Sequence, residues 1–158
     1  MNYEYRDGQL AVEGVSLASI AASSGTPTYV YSAGMIRERF LAYQSAFAGM
    51  PHQICYAVKA NSNLAVLATL ARLGAGFDIV SGGELFRVLK AGGNPATVVF
   101  SGVGKTPEEI RFALEHGVHS FNCESYAEIE VLNHTPDITR KIAHISIREN
   151  PDGNPVTH

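Results

Sequence analysis

The sequence predicts an α/β fold in which parallel strands alternate with helices. Three observations point to it. From residue 52 onward, strand-like and helix-like stretches alternate, and the unit recurs about every 21 to 23 residues. The strand-like stretches are nearly continuous apolar runs, as suits parallel strands covered on both faces. The helix-like stretches tend to stop at glycine, at Gly74, Gly92 and Gly117, where helix C-terminal caps are expected.

Taken in order, "YEYRDGQLAVEGV" reads as two short strands around an Asp7-Gly8 turn. "SLASIAASSG" reads as a short helix ending near Gly25, and "TPTYVYS" as a strand. "AGMIRERFLAYQSAFAG" reads as an amphipathic helix with Ile36, Phe40, Tyr43 and Phe47 on one face. The regular rhythm then begins. "HQICYAVKA" is a strand and "NLAVLATLARLG" a helix; "AGFDIVS" is a strand and "GGELFRVLKAGG" a helix. "TVVFSG" and "TPEEIRFALEHG" form the third unit, "VHSFNCES" and "YAEIEVLNH" the fourth, and "KIAHISIREN" supplies a fifth strand. Two architectures satisfy this pattern: a doubly wound sheet or an eight-stranded (β/α)8 barrel. A complete barrel needs about 250 residues, so a barrel of 158 residues is incomplete.

Composition narrows the partners. The net charge is -3, with no basic patch and no run of like charges, which argues against nucleic acid and anionic membrane surfaces. No apolar stretch is long enough to span a bilayer, and "MNYEYRDGQL" carries no secretory pattern. A cytoplasmic location follows as the expectation, with Cys55 and Cys123 as free thiols.

In either architecture, chemistry collects at the C-terminal ends of the strands. The residues there are Lys59, Asp78, Ser81, Ser101, Asn122, Glu124 and Arg148. Lysines are common at strand ends, so position alone gives Lys59 only a weak functional case. Asp78 lies between Phe77 and Ile79, where a carboxylate is costly to bury without a partner. Ser81 and Glu84 fit a capping box, which is reason enough for that glutamate. Arg148 fits an ordinary surface ion pair.

Other motifs fall away. "SGVGKT" lacks the first glycine of a phosphate loop, since Val99 stands there, and reads better as a strand end before a Thr106–Glu109 capping box with Pro107 at the first helical position. "GAGFDI" lacks the third glycine of a dinucleotide fingerprint. Asn133-His134-Thr135 matches a glycosylation acceptor without any sign of secretion. The six histidines are scattered, and no metal site is expected.

Read together, "YAVKANSN", "LARLGAGFDIVSGGEL", "VVFSGVGKT" and "FNCES" closely resemble diaminopimelate decarboxylases, pyridoxal-phosphate enzymes built on an alanine-racemase-like barrel. "YRDGQLAVEGVSLASIAASSGTPTYVYS" resembles the start of the bacterial enzymes, and "ISIRENPD" is similar again. The resemblance implies a partial (β/α)8 TIM barrel of about five units over residues 26–158. Residues 1–25 would be strands and a short helix that normally join a C-terminal β domain. It implies pyridoxal 5'-phosphate as cofactor, held by Lys59 as a Schiff base. A lysine at a partly desolvated strand end has a lowered pKa, and its neutral amine attacks an aldehyde. It implies that Asp78, Glu84 and Arg148 lie near the cofactor, with Ser101, Asn122 and Glu124 behind them. The implied reaction is decarboxylation of meso-2,6-diaminopimelate to L-lysine and carbon dioxide by a homodimer.

This sequence departs from the family pattern at Glu149, where valine usually follows the arginine, and in the loosely fitting "YAEIEVLNHTPDITRKIAH". The family's phosphate-binding turns, ring-stacking histidine and β domain have no counterpart here, so the chain alone is expected to be inactive, with open apolar strand edges. Three other readings stay open: a related basic amino-acid decarboxylase, a non-catalytic pyridoxal-phosphate-binding module, and a non-functional fragment.

Overall fold

The computed structural model describes residues 3–134 and 142–149. The chain forms two compact units, Met1–His52 and Gln53–His158.

The first unit opens with an antiparallel meander: β1 (Glu4–Arg6), β2 (Gln9–Val12) and β3 (Val15–Ser16). Positive φ at both Asp7 and Gly8 makes the expected tight hairpin turn. A second such turn at Glu13-Gly14, φ 52° and 81°, starts a third strand that the sequence reading did not separate. Helix α1 (Leu17–Ser24) follows as expected. The strand expected in "TPTYVYS" is not formed. No strand pairs with this segment among the described residues, and Tyr29 and Tyr31 are exposed.

Helix α2 (Ala33–Ala46) is capped at Ser32, whose Oγ accepts the N–H of Met35 at 3.0 Å. The same hydroxyl donates to Glu13 Oε1, which also accepts Gly34 N–H at 2.8 Å. Of the apolar face expected on α2, Phe40 is buried while Tyr43 and Phe47 are exposed.

The second unit is the alternating part: β4 (Cys55–Ala57), α3 (Leu64–Arg72), β5 (Gly76–Ile79), α4 (Gly82–Lys90), β6 (Val98–Phe100), α5 (Pro107–His116), β7 (Ser120–Cys123), α6 (Tyr126–His134) and β8 (Ile145–Ile147). All neighbouring strands are parallel, and their order is β4-β5-β6-β7-β8. A doubly wound sheet reverses its strand order at a switch point. Here the order is strictly sequential, and α3 to α6 pack against one another in the same sequence. This is the winding of a (β/α)8 barrel, carried through five strands.

Burial alternates along β6 and β7 and over Phe77–Ile79 of β5. Phe77, Ile79, Val98, Phe100, Phe121 and Cys123 are buried beneath the helices with Leu67, Leu85, Val88 and Ile110. Each buried side chain of this size contributes about 1.5–3 kcal/mol. The intervening residues Ala57, Asp78, Val99, Asn122 and Ser146 share the opposite face. On β8, Ile145 and Ile147 are exposed among the described residues.

The glycine stops recur in one form. The residue after each of Gly74, Gly92 and Gly117 donates to the carbonyl five positions back: Ala75 to Leu70, Gly93 to Val88, Val118 to Ala113. Each glycine has φ between 74° and 82°, the left-handed conformation such caps require.

Candidate functional site at the strand ends

Lys59 does not sit on β4 itself. It occupies a 3-10 turn, Val58–Ala60, at the strand's C-terminal end. Val58 is fully buried and anchors the turn, and Tyr56 Oη donates to the carbonyl of Asn61 just beyond it. The Lys59 side chain is exposed, which corrects the expectation of partial desolvation. Among the described residues its ammonium has no hydrogen bond and no ion pair. The other lysines of the described segments are engaged: Lys90 lies over the Phe86 ring at 5.4 Å, and Lys105 is buried.

One strand along, Asp78 pairs in register with Ala57. Its Oδ1 accepts the hydroxyl of Ser101, which follows β6, at 2.5 Å. Ser101 Oγ in turn accepts Asn122 Nδ2–H on β7 at 2.9 Å. Three adjacent strands thus present a hydrogen-bonded row of Asp78, Ser101 and Asn122, all half-buried. This answers the difficulty of a carboxylate between Phe77 and Ile79: those two side chains face the helices, while Asp78 faces the other way with a donor beside it.

Arg148 follows β8 and is exposed; its Nη1 donates to Glu124 Oε1 at 3.1 Å. The ion pair expected of Arg148 is therefore made with the end of β7. Its own N–H donates to Cys123 O at 2.9 Å, which fixes the pairing of the two strand ends.

Glu84 is committed to capping. Ser81 Oγ accepts Glu84 N–H at 3.2 Å, and Glu84 Oε2 accepts the N–H of Val80 at 2.8 Å. The reach extends one residue beyond the N-cap, so the reciprocal half of the expected box is shifted. The same arrangement recurs at α6, where Ser125 Oγ accepts Glu128 N–H and Glu128 Oε2 accepts Glu124 N–H. Helix α5 carries the expected box between Thr106 and Glu109, with Pro107 in its first turn.

Sequence reasoning missed Lys105 and Glu128. Lys105 is the lysine of "SGVGKT" and its side chain is fully buried. Its ammonium makes all three bonds open to it: to Gly102 O at 2.8 Å, to Asn122 O at 2.7 Å and to the Glu128 carboxylate. It also lies 5.6 Å from the centre of the Phe100 ring. Removing one partner of such a buried pair costs about 3–5 kcal/mol. The available signal was a lysine before a capped helix together with a Ser-x-x-Glu start to the next helix. The repeat places the two residues in adjacent units, but it does not show that their side chains meet.

Two thiols border these groups. Burial pushes the Cys55 thiol up from its ordinary value, and the charge of Asp78 pushes it further. Burial also raises that of Cys123; Glu128 and Glu124 add to the rise and Lys105 opposes it. Both cysteines are free.

Residues 33–158 match the family model of the pyridoxal-dependent decarboxylases, pyridoxal binding domain. The chain belongs to this family. Relatives of this pyridoxal-binding domain include the diaminopimelate decarboxylase of Pseudomonas aeruginosa, 59% identical over 156 residues, which match 99% of this chain and 38% of that protein. Among solved structures, the diaminopimelate decarboxylase of M. jannaschii in complex with L-lysine superposes with a TM-score of 0.91 at 36% identity, over 99% of this chain and 37% of that one. The Helicobacter pylori enzyme, also complexed with L-lysine, gives 0.84 at 43% identity, over 89% and 36%. The chain thus spans well under half the length of the curated relatives it matches.

The donor set of this pyridoxal-binding domain fits the cofactor its family name carries. An aldehyde is held by a primary amine that no other group engages, and Lys59 is such an amine among the described residues. Asp78 and Arg148 stand at the same ends of the sheet, one anionic and one cationic.

Proposed function

We propose that this chain supplies part of the pyridoxal-phosphate site of a diaminopimelate decarboxylase, which converts meso-2,6-diaminopimelate to L-lysine and carbon dioxide. The observation that carries the reading is the exposed amine of Lys59, unengaged among the described residues, on a turn anchored by buried Val58, beside the Asp78–Ser101–Asn122 row. The names of the relatives supply the substrate, and the L-lysine bound in two of their structures is the product of that reaction.

Each residue then has a role set by where it stands. Lys59 would hold the cofactor covalently through its side-chain amine. Asp78, whose Oδ1 accepts the Ser101 hydroxyl, would place its carboxylate beside the cofactor-linked amine. Arg148 is steered by Glu124 and offers guanidinium N–H groups toward the cofactor's end of the sheet. Glu84 holds the β5–α4 turn through Val80 N–H and acts on the cofactor only through that turn. Bound pyridoxal phosphate supplies the electron sink for the charge left when carbon dioxide departs. The homodimer and the cytoplasmic location belong to the same proposal, as does the assignment of residues 1–25 to a β domain and 26–158 to the barrel.

The test is chemical capture. The purified chain is incubated with pyridoxal phosphate, reduced with borohydride and mapped by peptide mass. The sequence holds four lysines, Lys59, Lys90, Lys105 and Lys141. A label concentrated on Lys59, and lost in Lys59→Ala, is expected. A label spread over Lys59, Lys90 and Lys141, or none at all, overturns the reading.

A further inference from the structure

The buried pair Lys105–Glu128 packs against Phe100 and α6, yet it is joined to the Asn122 end of the polar row and, through Glu124, to Arg148. Asn122 is the first junction. Its backbone carbonyl accepts from Lys105 Nζ, and its side chain donates to Ser101, which donates to Asp78. Glu128 makes the second junction. One of its oxygens takes Lys105 and the other accepts the N–H of Glu124, whose carboxylate holds Arg148. One connected network therefore runs from Asp78 on β5 to Arg148 after β8, and the ion pair is its centre.

Local needs do not explain this geometry. Capping accounts for only one oxygen of Glu128: Glu84 and Glu109 cap their helices in the same way with no lysine partner among the described residues, so the Lys105 bond to the other oxygen is extra. A charged pair with a fully buried lysine is a costly way to close a turn, because two apolar residues of similar volume are often at least as stable. What the pair adds is direction. An ammonium with three fixed partners sets the β6–α5 loop through Gly102, the β7 backbone through Asn122 and the start of α6 through Glu128.

We propose that Lys105 and Glu128 are positioning residues that set the carboxylate of Asp78 and the guanidinium of Arg148 relative to each other. The proposal rests on the reading of Lys59, Asp78 and Arg148 as the cofactor-facing groups. Neither Lys105 nor Glu128 touches the cofactor; both act through Asn122 and Glu124.

The test compares wild type with the double variant K105Q/E128Q, which keeps a hydrogen-bonded neutral pair in the same space. The first readout is the ratio of borohydride-trapped label on Lys59 to that on Lys90. The second is amide hydrogen exchange at Glu124 in wild type, before and after labelling. Positioning predicts a ratio lowered about tenfold in a variant that still melts cooperatively, and slower exchange at Glu124 in labelled wild type, since coupling between sites is reciprocal. A structural role alone moves the melting point and neither of these. Label on Lys59 with unchanged Glu124 exchange overturns the positioning role even if the variant fails to fold. An unchanged ratio in a folded variant does the same. No selective label on Lys59 in wild type overturns the underlying reading, and the positioning role falls with it.

Discussion

Glu109 of α5 accepts the N–H of Gly82 at the start of α4, at 2.8 Å. Its other oxygen accepts Thr106 N–H at the start of its own helix, at 3.1 Å. One carboxylate therefore closes two successive helices and ties the β5–α4 turn to the β6–α5 turn. Each capping bond is worth about 1 kcal/mol, so Glu109→Ala is expected to cost about 2 kcal/mol. That lowers the melting temperature by about 4–8 °C for a domain of this size. Glu109→Gln keeps only one acceptor and should lose about half as much. Thermal melts of the three proteins check this; equal loss in both variants would mean that only one of the two bonds matters.

The alternating part was legible because its signals are local. Buried parallel strands read as apolar runs, and three helices stop at glycines whose left-handed φ the cap requires. The "TPTYVYS" segment has the right residues for a strand, but a strand also needs a neighbour, and composition does not record one. The turn at Glu13-Gly14 was hidden because glutamate seldom takes φ near 52°. In the site, the row of strand-end residues was visible by position, including Asp78, Ser101 and Asn122. Their hydrogen-bond order was not, because it depends on register across three strands. Lys105 was invisible for a related reason: a lysine in a glycine-containing loop looks solvated until the fold brings Glu128 to it.

Glu13 gives the meander–helix junction a pH dependence. The hydrogen bond from Ser32 chiefly, and then that from Gly34 N–H, hold its carboxyl below the ordinary value of 4.5. A depressed folded-state pKa contributes stability above the unfolded value, and that stability is lost as pH falls through the folded one. Glu13→Gln should therefore melt lower than wild type at pH 7, and the gap should narrow as pH drops below about 4.5. A gap independent of pH between 3 and 7 would show that the charge plays no part.

Two glycines separate crowding from backbone strain. A Cβ on Gly76 would lie 2.5 Å from Thr97 O and 2.8 Å from Cys55 Sγ, both on neighbouring segments of the sheet. Gly76→Ala is expected to cost about 2–3 kcal/mol, because the strands must part to admit it. Gly104 has open space around it but a φ of 77°. Gly104→Ala should cost only about 1 kcal/mol, the strain of a left-handed alanine. Urea unfolding of both variants decides it. The reverse ranking would mean that β4, β5 and the segment before β6 are less closely packed than the structure has them.

The charge of Asp78 can be read through Cys55. Burial is the main cause of that thiol's raised pKa, and the Asp78 carboxylate is the second. A nearby anion disfavours the thiolate, which is the reactive form. Neutralising it in Asp78→Asn should bring the thiol pKa down and speed iodoacetamide alkylation of Cys55 several-fold at pH 8. Cys123 is raised by burial, Glu128 and Glu124 rather than by Asp78, so it serves as the internal control. Mass spectrometry of the two cysteine peptides over time gives both rates at once. Acceleration at Cys55 alone is the expected result, and it would place an ionised Asp78 on the same face as the thiol. Equal acceleration at both cysteines would instead mean that the variant loosens the sheet. An unchanged Cys55 rate would mean that the carboxylate is turned away from β4, and with it from the turn that carries Lys59.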